Sequence, residues 1–153
     1  MHSPGKRRAP SEGDWYERGL AALETGRAEE AYAAFAQALG AAPEGTVLRA
    51  KAHNKRGVAA MALGRRDEAF EDFCAALDCD ERHAPAIVNI GNLFLEAGQV
   101  LDGIDYFEAA LRADERCAGA HRGLGVALKG LGRHADAVRH LRAAVRLEMR
   151  TRR

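Results

Sequence analysis

The chain has few of the residues from which sheets and aromatic-lined pockets are built: only 6% are aromatic, one is tryptophan and four are proline. Alanine and leucine dominate instead, and that balance points to an all-helical protein. No sign of charge prevails, since 23 basic and 22 acidic side chains leave a net +1. No global field therefore recruits a nucleic acid or an anionic membrane. No stretch approaches the roughly 20 apolar residues of a membrane span. The opening MHSPGKRRAP carries Lys6, Arg7 and Arg8 with no apolar segment behind them, so no secretory leader is expected. The three cysteines, Cys74, Cys79 and Cys117, form an odd set without C-x-x-C spacing. Reduced thiols and a cytoplasmic setting follow as expectations.

Glycine, by contrast, is abundant where a helix would not want it. Residues 123–133 read GLGVALKGLGR, although each interior glycine costs a helix about 1 kcal/mol against alanine. The spacing G-x-G-x-x-x-x-G-x-G fits neither a dinucleotide fingerprint nor a phosphate loop, and no strand precedes it. A nucleotide site is excluded on that ground.

A shift of 34 residues supplies the reason for two of these glycines. It aligns Gly57 with Gly91 and Gly125, and Gly64 with Gly98 and Gly132. The same register superposes Phe73, Phe107 and Leu141; Ala76, Ala110 and Ala144; and the tripeptide Asp-Glu-Arg at 80–82 and 114–116. Gly19, Gly26, Ala31, Phe35 and Ala38 join it with an offset of 38, which marks four extra residues near GTVLRA. The chain divides into units 12–45, 50–83, 84–117 and 118–151, behind a basic, disordered N-terminal segment 1–11. Such a period denotes stacked supersecondary units.

These landmarks resemble the tetratricopeptide repeat (TPR), whose unit follows W-x-x-L-G-x-x-Y, A-x-x-x-F, A and P. Trp15, Gly19, Ala31, Phe35, Ala38 and Pro43 match in the first unit; His53, Ile87 and His121 replace the tryptophan later. The resemblance implies a right-handed α-solenoid of four antiparallel helix pairs. Helices are expected near 12–25, 28–41, 47–63, 66–79, 84–97, 100–113, 118–131 and 134–149. Ser11 with Asp14, and Thr46, supply caps, and Pro85 suits a first turn. Gly26, Gly64, Gly98 and Gly132 should stop each first helix in the left-handed conformation. The glycines at 19, 57, 91 and 125 should admit the second helix, with Phe35, Phe73, Phe107 and Leu141 filling the space.

The resemblance further implies a non-enzymatic adaptor that binds a peptide segment or a partner helix in a concave groove formed by the first helices. Spacing of i, i+4, i+7 places Tyr16 and Leu20; Asn54, Val58 and Met61; Val88, Asn92 and Leu95; and Arg122, Val126 and Lys129 on that wall, with Asn89 beside them. Asn54, Asn89 and Asn92 can each donate and accept, which suits an extended backbone. The lysine, asparagine and arginine positions by which some members hold a C-terminal carboxylate are matched here only by Asn89, so no such clamp is expected.

No chemistry-bearing motif competes with this reading. Cys117, His121 and His83 do not make a tetrahedral metal set, no catalytic residue or cofactor is assigned, and His134 and His140 are expected to be solvated. No basic stripe interleaved with aromatics crosses all units, as a single-stranded RNA binder would need, and Glu24 and Glu96 lie near the groove. Charge is nonetheless uneven: the first unit nets −5 (two basic, seven acidic) and the fourth +5 (seven basic, two acidic). Head-to-tail self-association is the alternative this suggests, and helix 134–149, which ends the array with Val138, Leu141, Val145 and Met149, is its expected homo-oligomer surface.

Overall fold

The computed structural model describes residues 8–152, so the segment 1–7 lies outside the described residues. Eight helices follow in order: α1 (Glu12–Glu24), α2 (Ala28–Ala41), α3 (Val47–Ala62), α4 (Arg66–Cys79), α5 (Ala84–Glu96), α6 (Val100–Ala113), α7 (Ala118–Gly130) and α8 (His134–Thr151). Each packs on the next along the chain, and the odd-numbered helices also touch one another, α1 on α3, α3 on α5 and α5 on α7. The result is an all-α solenoid of four helix pairs whose inner wall is made by α1, α3, α5 and α7.

The boundaries arise from local chemistry. At the start of α1 the Ser11 hydroxyl accepts from the Asp14 N–H at 3.2 Å, and the Asp14 carboxylate accepts from the Ser11 N–H at 2.7 Å. Ser11, expected at the end of the segment 1–11, is thus the ordered N-cap of α1. Thr46 caps α3 by accepting from the Arg49 N–H, and Pro85 occupies the first turn of α5. Each first helix ends on a glycine with φ between 72° and 80°. There the glycine N–H and the next N–H turn back onto the carbonyls of the last turn, as in Gly64 to Met61 at 3.0 Å and Arg65 to Ala60 at 2.9 Å. That closure satisfies two carbonyls which would otherwise be left unpaired.

Packing follows the landmarks. Phe35, Phe73 and Phe107 are wholly buried, and a Cβ added at Gly19, Gly57 or Gly91 would lie 2.5–2.8 Å from the matching ring. Gly125 faces Leu141 in the same manner. The core is a chain of small clusters, each spanning neighbouring helices, with Phe35, Phe73 and Phe107 each in a different one. Burial of this kind couples a unit mainly to its neighbours.

One position is used twice for polar pairing. His53 on α3 meets Asp72 on α4 at 3.0 Å, and His121 on α7 meets His140 on α8 at 2.9 Å between the two Nδ1 atoms; both pairs are 19 residues apart. Arg56 adds a two-pronged bond to Asp72, at 2.8 and 2.9 Å. Burial pushes the Asp72 carboxyl up, but the hydrogen bonds from His53 and Arg56 outweigh it and hold the group below its ordinary value. His140, expected in solvent, is instead half-buried against His121, because α8 turns that side chain toward α7.

Candidate functional site

The twelve side chains expected along the inner wall do not form one continuous surface. Tyr16 and Leu20 are half-buried against the first cluster, the Tyr16 ring lying 5.6 Å from that of Phe35. Val58 and Met61 pack against the cluster around Phe73. Asn54 is only 4% exposed and accepts a 2.8 Å hydrogen bond from the Asn89 amide. It therefore orients Asn89 rather than facing a ligand, which corrects its assignment to the open wall. Lys129 is exposed but stands outside the groove lining.

The remaining six, Val88, Asn89, Asn92, Leu95, Arg122 and Val126, come together in a groove of about 450 Å³ between α5 and α7. Glu96, Gly119 and Gly123 complete its lining. The groove opens here because α7 carries glycine at two successive inward turns, 119 and 123, where α5 has Pro85 and Asn89 and α3 has Lys51 and Lys55. A Cβ at Gly119 would stand 3.4 Å from Val88, and one at Gly123 would collide with the Phe107 ring at 2.4 Å. The floor is thus bare backbone over a buried phenylalanine. A G-x-x-x-G spacing within α7 was the signal for these two, masked by the 34-residue glycines around it.

The groove is apolar in its floor and polar in its sides. Val88 is 7% exposed whereas Val126 is 53% exposed, so the apolar strip runs from the core out to solvent. The Asn89 side chain spends an amide hydrogen on Asn54 and keeps its carbonyl free, and the Asn92 side chain makes no hydrogen bond among the described residues. The rims are charged but tethered: Glu96 pairs with Arg66 at 2.7 Å, and Arg122 pairs with Glu148. Such exposed pairs contribute little to stability and exchange partners readily.

Three buried or half-buried titratable groups outside the groove lining are held toward their neutral forms. Burial lowers the proton affinity of His83, which sits at the head of α5 with Nε2 buried and without a partner. Burial also pushes the Cys117 and Cys74 thiols up, away from the thiolate form that nucleophilic chemistry uses. Among the described residues no three metal-ligating side chains converge, and His121 is taken by His140 rather than by Cys117.

Helix pairs at this period, with glycine and phenylalanine interlocked within them, agree with the comparison to family models: the Tetratricopeptide repeat model matches residues 16–84 and 88–149. The chain belongs to the tetratricopeptide repeat family. Solved TPR structures share the fold. MamA from Desulfovibrio magneticus RS-1 aligns with a TM-score of 0.67 at 20% identity, over 91% of this chain and 76% of that one. The Sgt2 TPR domain from Aspergillus fumigatus gives 0.70 at 21% identity, over 81% of each chain. YrrB, described as a TPR protein with an unusual peptide-binding site, gives 0.62 at 20% identity, over 89% of this chain and 68% of that one. No functionally curated protein matches the sequence. No described helix of this TPR chain is long and apolar enough to cross a membrane.

Proposed function

We propose that this TPR chain is a non-catalytic interaction scaffold that takes an extended segment of another protein in the groove between α5 and α7. The carrying observation is the juxtaposition of an apolar strip, Val88, Leu95 and Val126, with the unpaired amide of Asn92 and the open carbonyl of Asn89. An extended peptide presents alternating side chains and an unsatisfied backbone, and this floor offers a partner for each. From Val88 to Leu95 the helix rises about 10 Å, which is the length of about three extended residues. The recognised core is accordingly short and apolar. The bare backbone at Gly119 and Gly123 lets the ligand chain approach closely. YrrB, with its peptide-binding site, supports the class of ligand; the location here rests on this groove alone.

The test is affinity capture from an extract with the wild type and an Asn92→Ala, Val126→Glu double variant, both side chains lying outside the buried core. Proteins retained by the wild type should be lost from the variant while its thermal unfolding is unchanged. Equal capture by both would remove the groove as the binding surface.

A further inference from the structure

The outer face of α8 is the strongest feature that the groove does not use. Every other second helix is covered by the next first helix: Leu39 is 6% exposed, and Leu77 and Leu111 are packed into the core clusters. Val145 holds the same repeat position on α8 and is 51% exposed, with Val138 at 44% and Met149 at 65%. Val138, Leu141 and Val145, with Arg139, Arg142 and Arg146, line a shallow trough of about 750 Å³.

The interior of the protein shows what such a face accepts. Ala86 and Ile90 of α5 lie over Ala76 and Phe73, and Ala120 and Leu124 of α7 lie with Ala110 and Phe107. At these two junctions the solution is a small residue and a branched aliphatic, four apart on a helix; at the third, α3 brings Ala52 to Ala38 and Leu39 and carries Arg56 at the second position. Charge narrows the occupant further. Arg139 is held by Asp136, and Arg122 takes up Glu148. Arg142 and Arg146, three before and one after Val145, have no ion-pair partner among the described residues. A helix bearing carboxylates beside its apolar pair would meet both guanidinium groups.

A second copy of this chain fits less well in either orientation. Two α8 faces would oppose like charges. A stacked α1 would offer Asp14 at the position where every internal junction has alanine, Ala52, Ala86 or Ala120. Asp14 is a carboxylate already engaged with Ser11.

We propose that the outer face of α8 docks a helix of another protein, laid across Val145 with alanine and isoleucine or leucine at i and i+4 and with carboxylates flanking them. This surface is separate from the α5–α7 groove and does not depend on it.

The experiment uses the full chain and two stapled amphipathic helical peptides, both with alanine and isoleucine at i and i+4, one flanked by glutamates and the other by lysines. Fluorescence anisotropy at physiological salt reads their affinities. The wild type should bind the acidic peptide and reject the basic one. Arg142→Glu with Arg146→Glu, both exposed and tolerable to the fold, should weaken the acidic peptide by at least about tenfold and admit the basic one. Val145→Glu should abolish binding of the acidic peptide, whereas Asn92→Ala with Val126→Glu should leave it unaltered. The proposal is overturned if the wild type does not bind the acidic peptide, if the arginine reversal leaves its affinity unchanged, or if the groove variant weakens it. It is equally overturned if light scattering shows a dimer that Val145→Glu dissociates, or if the protein sediments with phosphatidylserine vesicles while ignoring the peptide.

Discussion

Replacing Gly123 by alanine adds one carbon to a helix that gains from it in every respect but one. Alanine is favoured over glycine in a helix interior by about 1 kcal/mol, so an open site would be stabilised. At Gly123 the new carbon would stand 2.4, 2.5 and 2.7 Å from three atoms of the Phe107 ring, where carbon atoms rest at about 3.5–4.0 Å. The ring would have to retreat by about 1 Å. It cannot do so freely, because the ring is wholly buried. Overpacking of this kind costs about 1–3 kcal/mol, and the full burial of the ring places it at the upper end. The net expected loss is about 2 kcal/mol, or roughly 4–8 °C in Tm at this chain length. Gly130, in the same helix with nothing within 4 Å, is the control: alanine there should raise stability by up to about 1 kcal/mol. Urea unfolding followed by circular dichroism gives both values. In a Phe107→Ala background the Gly123→Ala penalty should disappear, because the ring it meets is gone. Equal stabilisation by both alanines, or a penalty that survives removal of the ring, would refute the clash.

Four further outcomes follow from the structure. Phe73→Ala empties a wholly buried site and should cost about 3–5 kcal/mol by denaturant unfolding. Gly98→Ala forces a left-handed alanine at φ 80° and should cost about 1–2 kcal/mol, although a Cβ there meets nothing within 4 Å. Asp72→Asn strips the charge from the acceptor shared by His53 and Arg56 and should cost about 2 kcal/mol near neutral pH. Because the Asp72 carboxyl titrates below its unfolded value of about 3.9, that contribution is present above pH ~4 and is lost as pH falls through the lower folded value. His140 is lowered by burial and by the charge of His121, and burial lowers His83. Their contributions are complete above an unfolded value of about 6.5 and are lost as pH falls through the lower folded values. Urea midpoints should therefore drop between about pH 7 and 5, and His140→Gln should flatten part of that slope.

The repeat made most of the fold legible, and the reason is physical. Glycine at the close approach, phenylalanine opposite it and glycine at the left-handed stop are constraints internal to one helix pair, so each recurs at 34 residues. Relations between pairs do not recur and were harder to see. Asn54 meets Asn89 across 35 residues, a lean of one helix on the next that no period reports, and so it looked like an open groove residue. Gly123 stands 16 residues after Phe107 at a position that holds Asn89 and Lys55 in the preceding units. His140 was placed in solvent because its partner belongs to the paired helix rather than to its own. The groove narrowed from the whole wall to its C-terminal half for the same reason: its depth depends on glycines peculiar to α7.

Site-specific photocrosslinking tests the groove most directly. A benzoylphenylalanine at Val126, in the groove, is compared with one at Leu101, which is 69% exposed on α6 outside the groove lining, in the same extract. Covalent protein adducts should form from position 126 and not from 101. Adducts that form equally from both, or mainly from 101, would contradict the account.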